Sequence, residues 1–141
     1  PLYNMFVRGI ERELLPHLDT YGVGCIPFCP LAQGLLTSKY LDPANPIPTN
    51  SRAADPDGFL PASAVTPETI EKVRKLSKLA EARDQTMAQF AIAWILRHKN
   101  ITSALIGART PQQIADCVGA LAHLHFSPEE LAQIDAICPQ G

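Results

Sequence analysis

Ten residues, Ala104-Leu105-Ile106-Gly107-Ala108-Arg109-Thr110-Pro111-Gln112-Gln113, pass from an apolar run through a glycine turn into a capped helix start. An apolar run this short, stopped by glycine and followed by a helix, reads as a buried strand feeding the helix that packs on it. Alternating strand and helix dictates a parallel sheet, because parallel neighbours need a crossover between them. The turn also has a chemical side. Backbone N–H groups at a helix N-terminus point outward, the helix dipole favours negative charge there, and Arg109 adds a full positive charge. In a (β/α)8 barrel the loops after strands seven and eight build such a phosphate site. The same residues also read as a Thr110–Gln113 capping box beside a solvated arginine, and spacing leaves both open.

The rest of the chain keeps the alternation. Residues 1–7 read as a strand end and its exit loop. Ile10, Leu14, Leu18 and Tyr21 share one helical face, with Pro16 in the first turn of the main helix or kinking it. Gly22 and Gly24 end that helix and release Cys25-Ile26-Pro27-Phe28 as a second buried strand. The stretch 29–66 is long, irregular and rich in proline, which predicts a stiff covering loop with a helical turn near 35–40. Thr66-Pro67 starts a helix with the stripe Ile70, Val73, Leu76 (or Ser77) and Ala80. Thr86-Met87-Ala88-Gln89 is a capping box for a helix apolar around most of its circumference. Residues 101–106 form the third strand. Thr110 then caps a helix carrying Ile114, Cys117, Val118 and Leu121, and Ser127-Pro128 caps the last, with Leu131, Ile134 and Ile137.

Composition narrows the function classes. The 141 residues suit one domain, and a net charge of −2 argues against a broad nucleic-acid surface, so an anionic ligand has to be met by a few placed cations. No apolar run approaches the roughly 18 residues of a membrane helix. Cys25, Cys29, Cys117 and Cys138 lack a disulfide-rich pattern and fit a reducing, cytoplasmic setting. The chain opens on Pro1 rather than Met and reads as cut from a longer protein.

Several residues are candidates for chemistry. Phe28 at a strand end reads as a platform for a flat ring or as a core phenylalanine before a proline turn. Lys39 and Arg52 sit in the long loop, where cations clamp a polyphosphate or are simply solvated. His123 and His125 lack further ligands at metal-binding spacing, so no metal site is expected. No Ser-His-Asp or Cys-His arrangement is readable, and no catalytic residue is assigned.

Cys29-Pro30-Leu31-Ala32-Gln33-Gly34-Leu35-Leu36-Thr37-Ser38-Lys39-Tyr40, then Ile47-Pro48 and Ser51-Arg52, then Ile106-Gly107-Ala108-Arg109 and Gln113-Ile114, together resemble the C-terminal half of an aldo-keto reductase. The opening Tyr3-Asn4 with Arg8, and Trp94 on its apolar helix, agree. Within the family the resemblance is to bacterial L-glyceraldehyde 3-phosphate reductases and potassium-channel β subunits. It implies an incomplete (β/α)8 TIM barrel, residues 1–141 running from the end of strand six to the C-terminal helix. It implies NADPH-dependent reduction of a small aldehyde or ketone by the whole protein, or alternatively a non-catalytic NADP-binding redox-sensing subunit. On this resemblance Phe28 stacks on the nicotinamide, while Cys29, Pro30, Leu31, Ala32 and Gln33 line the pyrophosphate. Thr37, Lys39 and Arg52 belong to a strap over the dinucleotide. Gly107 and Arg109 hold the 2′-phosphate end, and Gln113 and Asp116 the adenosine. Cys29 stands for a hydroxyl residue, Cys117 for an asparagine and Asp116 for a glutamate. The family's catalytic residues fall before Pro1. A barrel cut open exposes sheet edges, so marginal stability and a possible oligomer are expected.

Overall fold

The structure, a computed structural model, describes residues 1–140. Its helices are α1 (Ile10–Glu13), α2 (Leu15–Tyr21), α3 (Pro67–Glu81), α4 (Met87–Leu96), α5 (Pro111–Gly119) and α6 (Pro128–Ile137). The proline reading holds: α1 and α2 break at Leu14, and Pro16 lies in the first turn of α2, where its missing N–H has no helical partner to lose. Thr66, Thr86, Thr110 and Ser127 all cap as expected, each hydroxyl accepting the backbone N–H three residues on. Reciprocal capping boxes close α4 and α6. At α5 the box is half made, because the Gln113 side chain turns to the Arg109 N–H (2.7 Å) and leaves Thr110.

The expected strands are present as extended segments joined by isolated bridges, with no ladder among the described residues. Residues 25–28 lie in the middle, pairing in parallel with Leu2 on one side and with Ile101 and Leu105 on the other. From Cys25 to Phe28 is three steps, but from Ile101 to Leu105 is four, so an extra residue bulges between the two bridges. Pro27 also lacks the N–H a ladder needs, although its carbonyl accepts from Leu105 N (2.9 Å). The segments are half-buried, a correction to the fully buried strands expected. Cys25 and Pro27 face the core, whereas Ile26, Phe28 and Leu105 are 58%, 45% and 59% exposed. Leu2 and Val7 are also substantially exposed.

The core is organised around α4, whose residues from Phe90 to Ile95 are all buried. Val73, Leu76 and Ala80 of α3 pack on it, as their stripe predicts, together with Ile134 of α6. The α5 stripe differs: only Cys117 is buried, and Ile114, Val118 and Leu121 are each at least half exposed. Tyr21 likewise leaves its expected face and is exposed.

Buried polar groups tie the ends of the chain to this core. Glu11 accepts from Tyr3 Oη (2.6 Å), Arg8 Nη2 (3.0 Å) and Arg97 Nη2 (3.0 Å). Arg8 Nη1 reaches Asp135 and the Cys138 carbonyl, both at 2.7 Å. Two guanidiniums lie over the Trp94 ring, Arg97 at 3.8 Å and Arg8 at 5.1 Å from its centroid. Burial alone would raise the Glu11 pKa, but the nearby His98 (Nε2 at 3.8 Å) and the hydrogen bonds from Arg8 and Tyr3 hold it well below the usual carboxylate range.

A carboxyl whose pKa falls on folding contributes stability above its unfolded pKa and loses it as pH drops from there toward the folded value. Thermal or urea unfolding followed against pH should show stability falling progressively below about pH 4.5, the ordinary glutamate value. Glu11→Gln should destabilise by about 3–5 kcal/mol at pH 7, since it leaves Arg97 without a carboxylate and Arg8 with Asp135 alone, and should flatten that acid decline.

Candidate functional site

Four left-handed, non-glycine residues occur among the described residues, and three of them crowd into one turn after the central segment. They are Cys29 (φ 57°), Ala32 (φ 47°) and Gln33 (φ 60°). L-residues held there cost on the order of 1–3 kcal/mol each, and such strain clusters at functional positions. The turn closes on itself, Ala32 N donating to the Cys29 carbonyl (3.1 Å) and Gly34 N to the Leu31 carbonyl (2.8 Å). Gln33 then points back, its Nε2 donating to Cys29 Sγ at 3.1 Å.

This turn forms the floor of a cavity of about 600 Å³, a size typical of small-molecule sites. Cys29, Pro30, Leu31 and Gln33 line it from below; Thr37, Lys39 and Arg52 come from the long loop; Gly107, Arg109, Gln113 and Asp116 come from the third segment and α5. Two expected contacts do not line it. The half-exposed Phe28 stands beside the cavity, and Ala32 packs toward the core instead. Sequence reasoning missed Ser38, Tyr40, Asn50, Thr86 and Met87, all of which line the same space. Thr86 carried a signal, since its capping role fixed it at a helix mouth, but Asn50 had none.

The long loop is built, as its prolines suggest. Leu35, Tyr40, Ala53 and Leu60 form a small buried cluster of their own. Tyr40 Oη accepts from Ala53 N (3.4 Å), which fastens the two halves of the loop. Thr37 donates to the Gly34 carbonyl (2.7 Å) and accepts from Lys39 N (3.2 Å), so its hydroxyl holds the short 3-10 turn Ser38–Tyr40 that presents Lys39. Arg52 crosses to the floor, Nη1 donating to Gln33 Oε1. A methyl at Gly107 would meet Arg52 Nη2 at 3.5 Å, ordinary contact, so the glycine is not sterically required in this arrangement.

Charge at the cavity is lopsided. Among the described residues none of Lys39, Arg52 and Arg109 has a carboxylate partner, whereas the buried Arg8 and Arg83 and the largely buried Arg97 are each paired. The one acid of the wall, Asp116, accepts from Thr86 Oγ1 (3.2 Å) and Gln89 Nε2 (3.0 Å). A Cβ at Gly119 would sit 2.5 Å from Gln89 Nε2, so that glycine lets Gln89 reach Asp116. Cys117 beside it is buried, and burial together with the Asp116 charge pushes its thiol pKa up. Three cations, hydroxyls and a helix N-terminus around one concavity are donors suited to a large anion carrying more than one phosphate. No group of His, Cys, Asp and Glu suited to a metal ion occurs among the described residues, and none of their helices is long and apolar enough to cross a membrane.

The model of the Aldo/keto reductase family matches residues 1–139. The chain is 44% identical over 145 residues to an L-glyceraldehyde 3-phosphate reductase of Escherichia coli (strain K12), covering 100% of the chain and 41% of that protein. It is 37% identical over 142 residues to a putative voltage-gated potassium channel subunit beta of Schizosaccharomyces pombe, covering 97% and 40% respectively. Among solved structures it superposes on the glycerol dehydrogenase of Gluconobacter oxydans with a TM-score of 0.76 and 27% identity, over 97% of the chain and 40% of that protein. The chain thus spans about two fifths of the length of the curated relatives it matches.

Removing the Asp116 carboxylate should loosen the mouth of α4 against α5. Asp116→Ala is expected to lower unfolding stability by about 1 kcal/mol, with little change in the denaturant m-value.

Proposed function

The chain belongs to the aldo/keto reductase family, and on that footing we propose that it is the NADP(H)-binding, C-terminal portion of a (β/α)8-barrel reductase of small aldehydes or ketones. One observation carries the reading: Lys39, Arg52 and Arg109 converge without carboxylate partners on one cavity of dinucleotide-compatible chemistry. When bound, NADPH supplies the hydride for carbonyl reduction. The chain's own residues bind and orient it. Cys29, Pro30, Leu31 and Gln33 follow the pyrophosphate, and Thr37, Lys39 and Arg52 clamp it from the strap. Gly107 and Arg109 take the 2′-phosphate, Gln113 and Asp116 face the adenosine, and Phe28 offers its ring to the nicotinamide. In this role the Asp116 carboxylate has spare acceptor capacity beyond its bonds to Thr86 and Gln89. Carbonyl reduction also needs a proton donor at the substrate oxygen, and no residue of this chain is assigned that role. A reducing, cytoplasmic setting suits the four free thiols.

The potassium-channel β-subunit relatives favour a second reading, in which NADP(H) binding serves redox sensing rather than turnover. Both readings share the cofactor site and differ in whether aldehyde drives NADPH consumption by the whole protein.

Fluorescence titration is expected to show NADPH binding at least tenfold tighter than NADH. Arg109→Ala should erase most of that preference, because a lost charge-assisted pair to phosphate is worth about 1.5–3 kcal/mol. Equal affinity for the two cofactors in the unsubstituted protein would sink the 2′-phosphate assignment. Purified 141-residue chain should bind NADPH yet consume none of it with aldehyde substrates; steady absorbance loss at the nicotinamide band would place a proton donor within this chain.

A further inference from the structure

We propose that Asn4, which does not touch the cavity, is the positioning residue that holds its strained floor; the proposal rests on the cofactor reading above only for what that floor binds. Asn4 is 1% exposed, and its side chain satisfies three partners at once. Nδ2 donates to the Cys29 carbonyl at 3.0 Å, and Oδ1 accepts from Phe6 N and Val7 N, both at 3.0 Å. A flipped amide would set Nδ2 against the Phe6 and Val7 N–H groups and Oδ1 against the Cys29 carbonyl, so the surroundings fix the amide orientation.

The Cys29 carbonyl is the pivot of the turn, because it also accepts from Ala32 N. Anchoring that oxygen sets the Cys29–Pro30 peptide plane, which follows directly on the left-handed Cys29. It thereby fixes where the Cys29 thiol and the Gln33 amide face the cavity, and through Gln33 where Arg52 lands. Strained dihedrals of this kind persist only where the surroundings over-determine them, and Asn4 is the side-chain group that does so at Cys29. Asn4 is itself held by paired backbone bonds to Val7, with N···O distances of 3.1 Å both ways. The anchor therefore comes from the opening segment, on the opposite side of the central segment from Arg109.

Asn4→Asp is near-isosteric. It keeps both acceptor contacts and sets an oxygen against the Cys29 carbonyl where an N–H stood. Two readouts are expected to move. The NADPH dissociation constant should rise about tenfold, equivalent to about 1.4 kcal/mol. Alkylation of Cys29, mapped by mass spectrometry, should accelerate several-fold, whereas Cys25, Cys117 and Cys138 are buried and serve as internal controls. Adding Ala32→Gly to Asn4→Asp should recover part of the affinity, because glycine adopts the left-handed conformation without a Cβ penalty. Ile134→Val, a core change in α6, should lower the melting temperature without moving either readout. If Asn4→Asp does not fold, Asn4→Ser is expected to shift both readouts in the same direction. Unchanged Cys29 labelling in a folded variant overturns the assignment, as does faster labelling with unchanged NADPH affinity. Absence of NADPH binding by the unsubstituted protein overturns the cofactor reading instead, and the labelling arm then decides alone whether Asn4 holds the turn.

Discussion

A single buried carboxylate holds the two ends of this chain against its middle. Glu11 gathers Tyr3 from the opening segment, Arg8 from the turn before α1 and Arg97 from the end of α4, and Arg8 carries the connection on to α6. Burying two guanidiniums near one carboxylate is costly unless each donor finds an acceptor, and here the Trp94 ring lies under both cations while Asp135 and a backbone carbonyl take what Glu11 leaves. A second clamp, centred on an arginine, lies farther along. Arg83 lies 3.9 Å over the Phe126 ring and binds Gln85, Glu130 and the His123 carbonyl. With these two clamps in place, α3, α4 and α6 have fixed mutual positions, and the loops that carry the cations have something rigid to rest on.

The cavity works against local preference, as functional positions often do. Its floor is strained, its wall is short of negative charge, and its single acid is turned aside by Thr86 and Gln89. None of these features helps folding. Together they leave a concavity whose unmet electrostatic demand is for an anion.

The helices and their caps were legible because each rests on local chemistry: a hydroxyl before proline, a glutamine or glutamate three residues on, apolar residues at spacings of three and four. The α5 stripe misled for the opposite reason. Ile114, Val118 and Leu121 have helical spacing, but spacing does not say what lies opposite, and here no described element covers them. The extended segments were found, yet their lack of a ladder depends on a bulge between Ile101 and Leu105 that only pairing reveals. Of the site, the loop cations and the 107–116 stretch were legible from motif order. The left-handed run at Cys29, Ala32 and Gln33 was not, because none of these residues is glycine, and neither was the part of Asn4, a single amide 25 positions away from its partner.

The cluster of Leu35, Tyr40, Ala53 and Leu60 has a thermodynamic meaning for recognition. Ordering a loop as long as 29–66 on its ligand would cost on the order of tens of kcal/mol in backbone entropy. Because the loop is already folded upon its own apolar residues, that entropy is lost during folding and not at the moment of encounter. Lys39 and Arg52 meet an incoming anion from a preorganised frame, so nearly all of their attraction can appear as affinity.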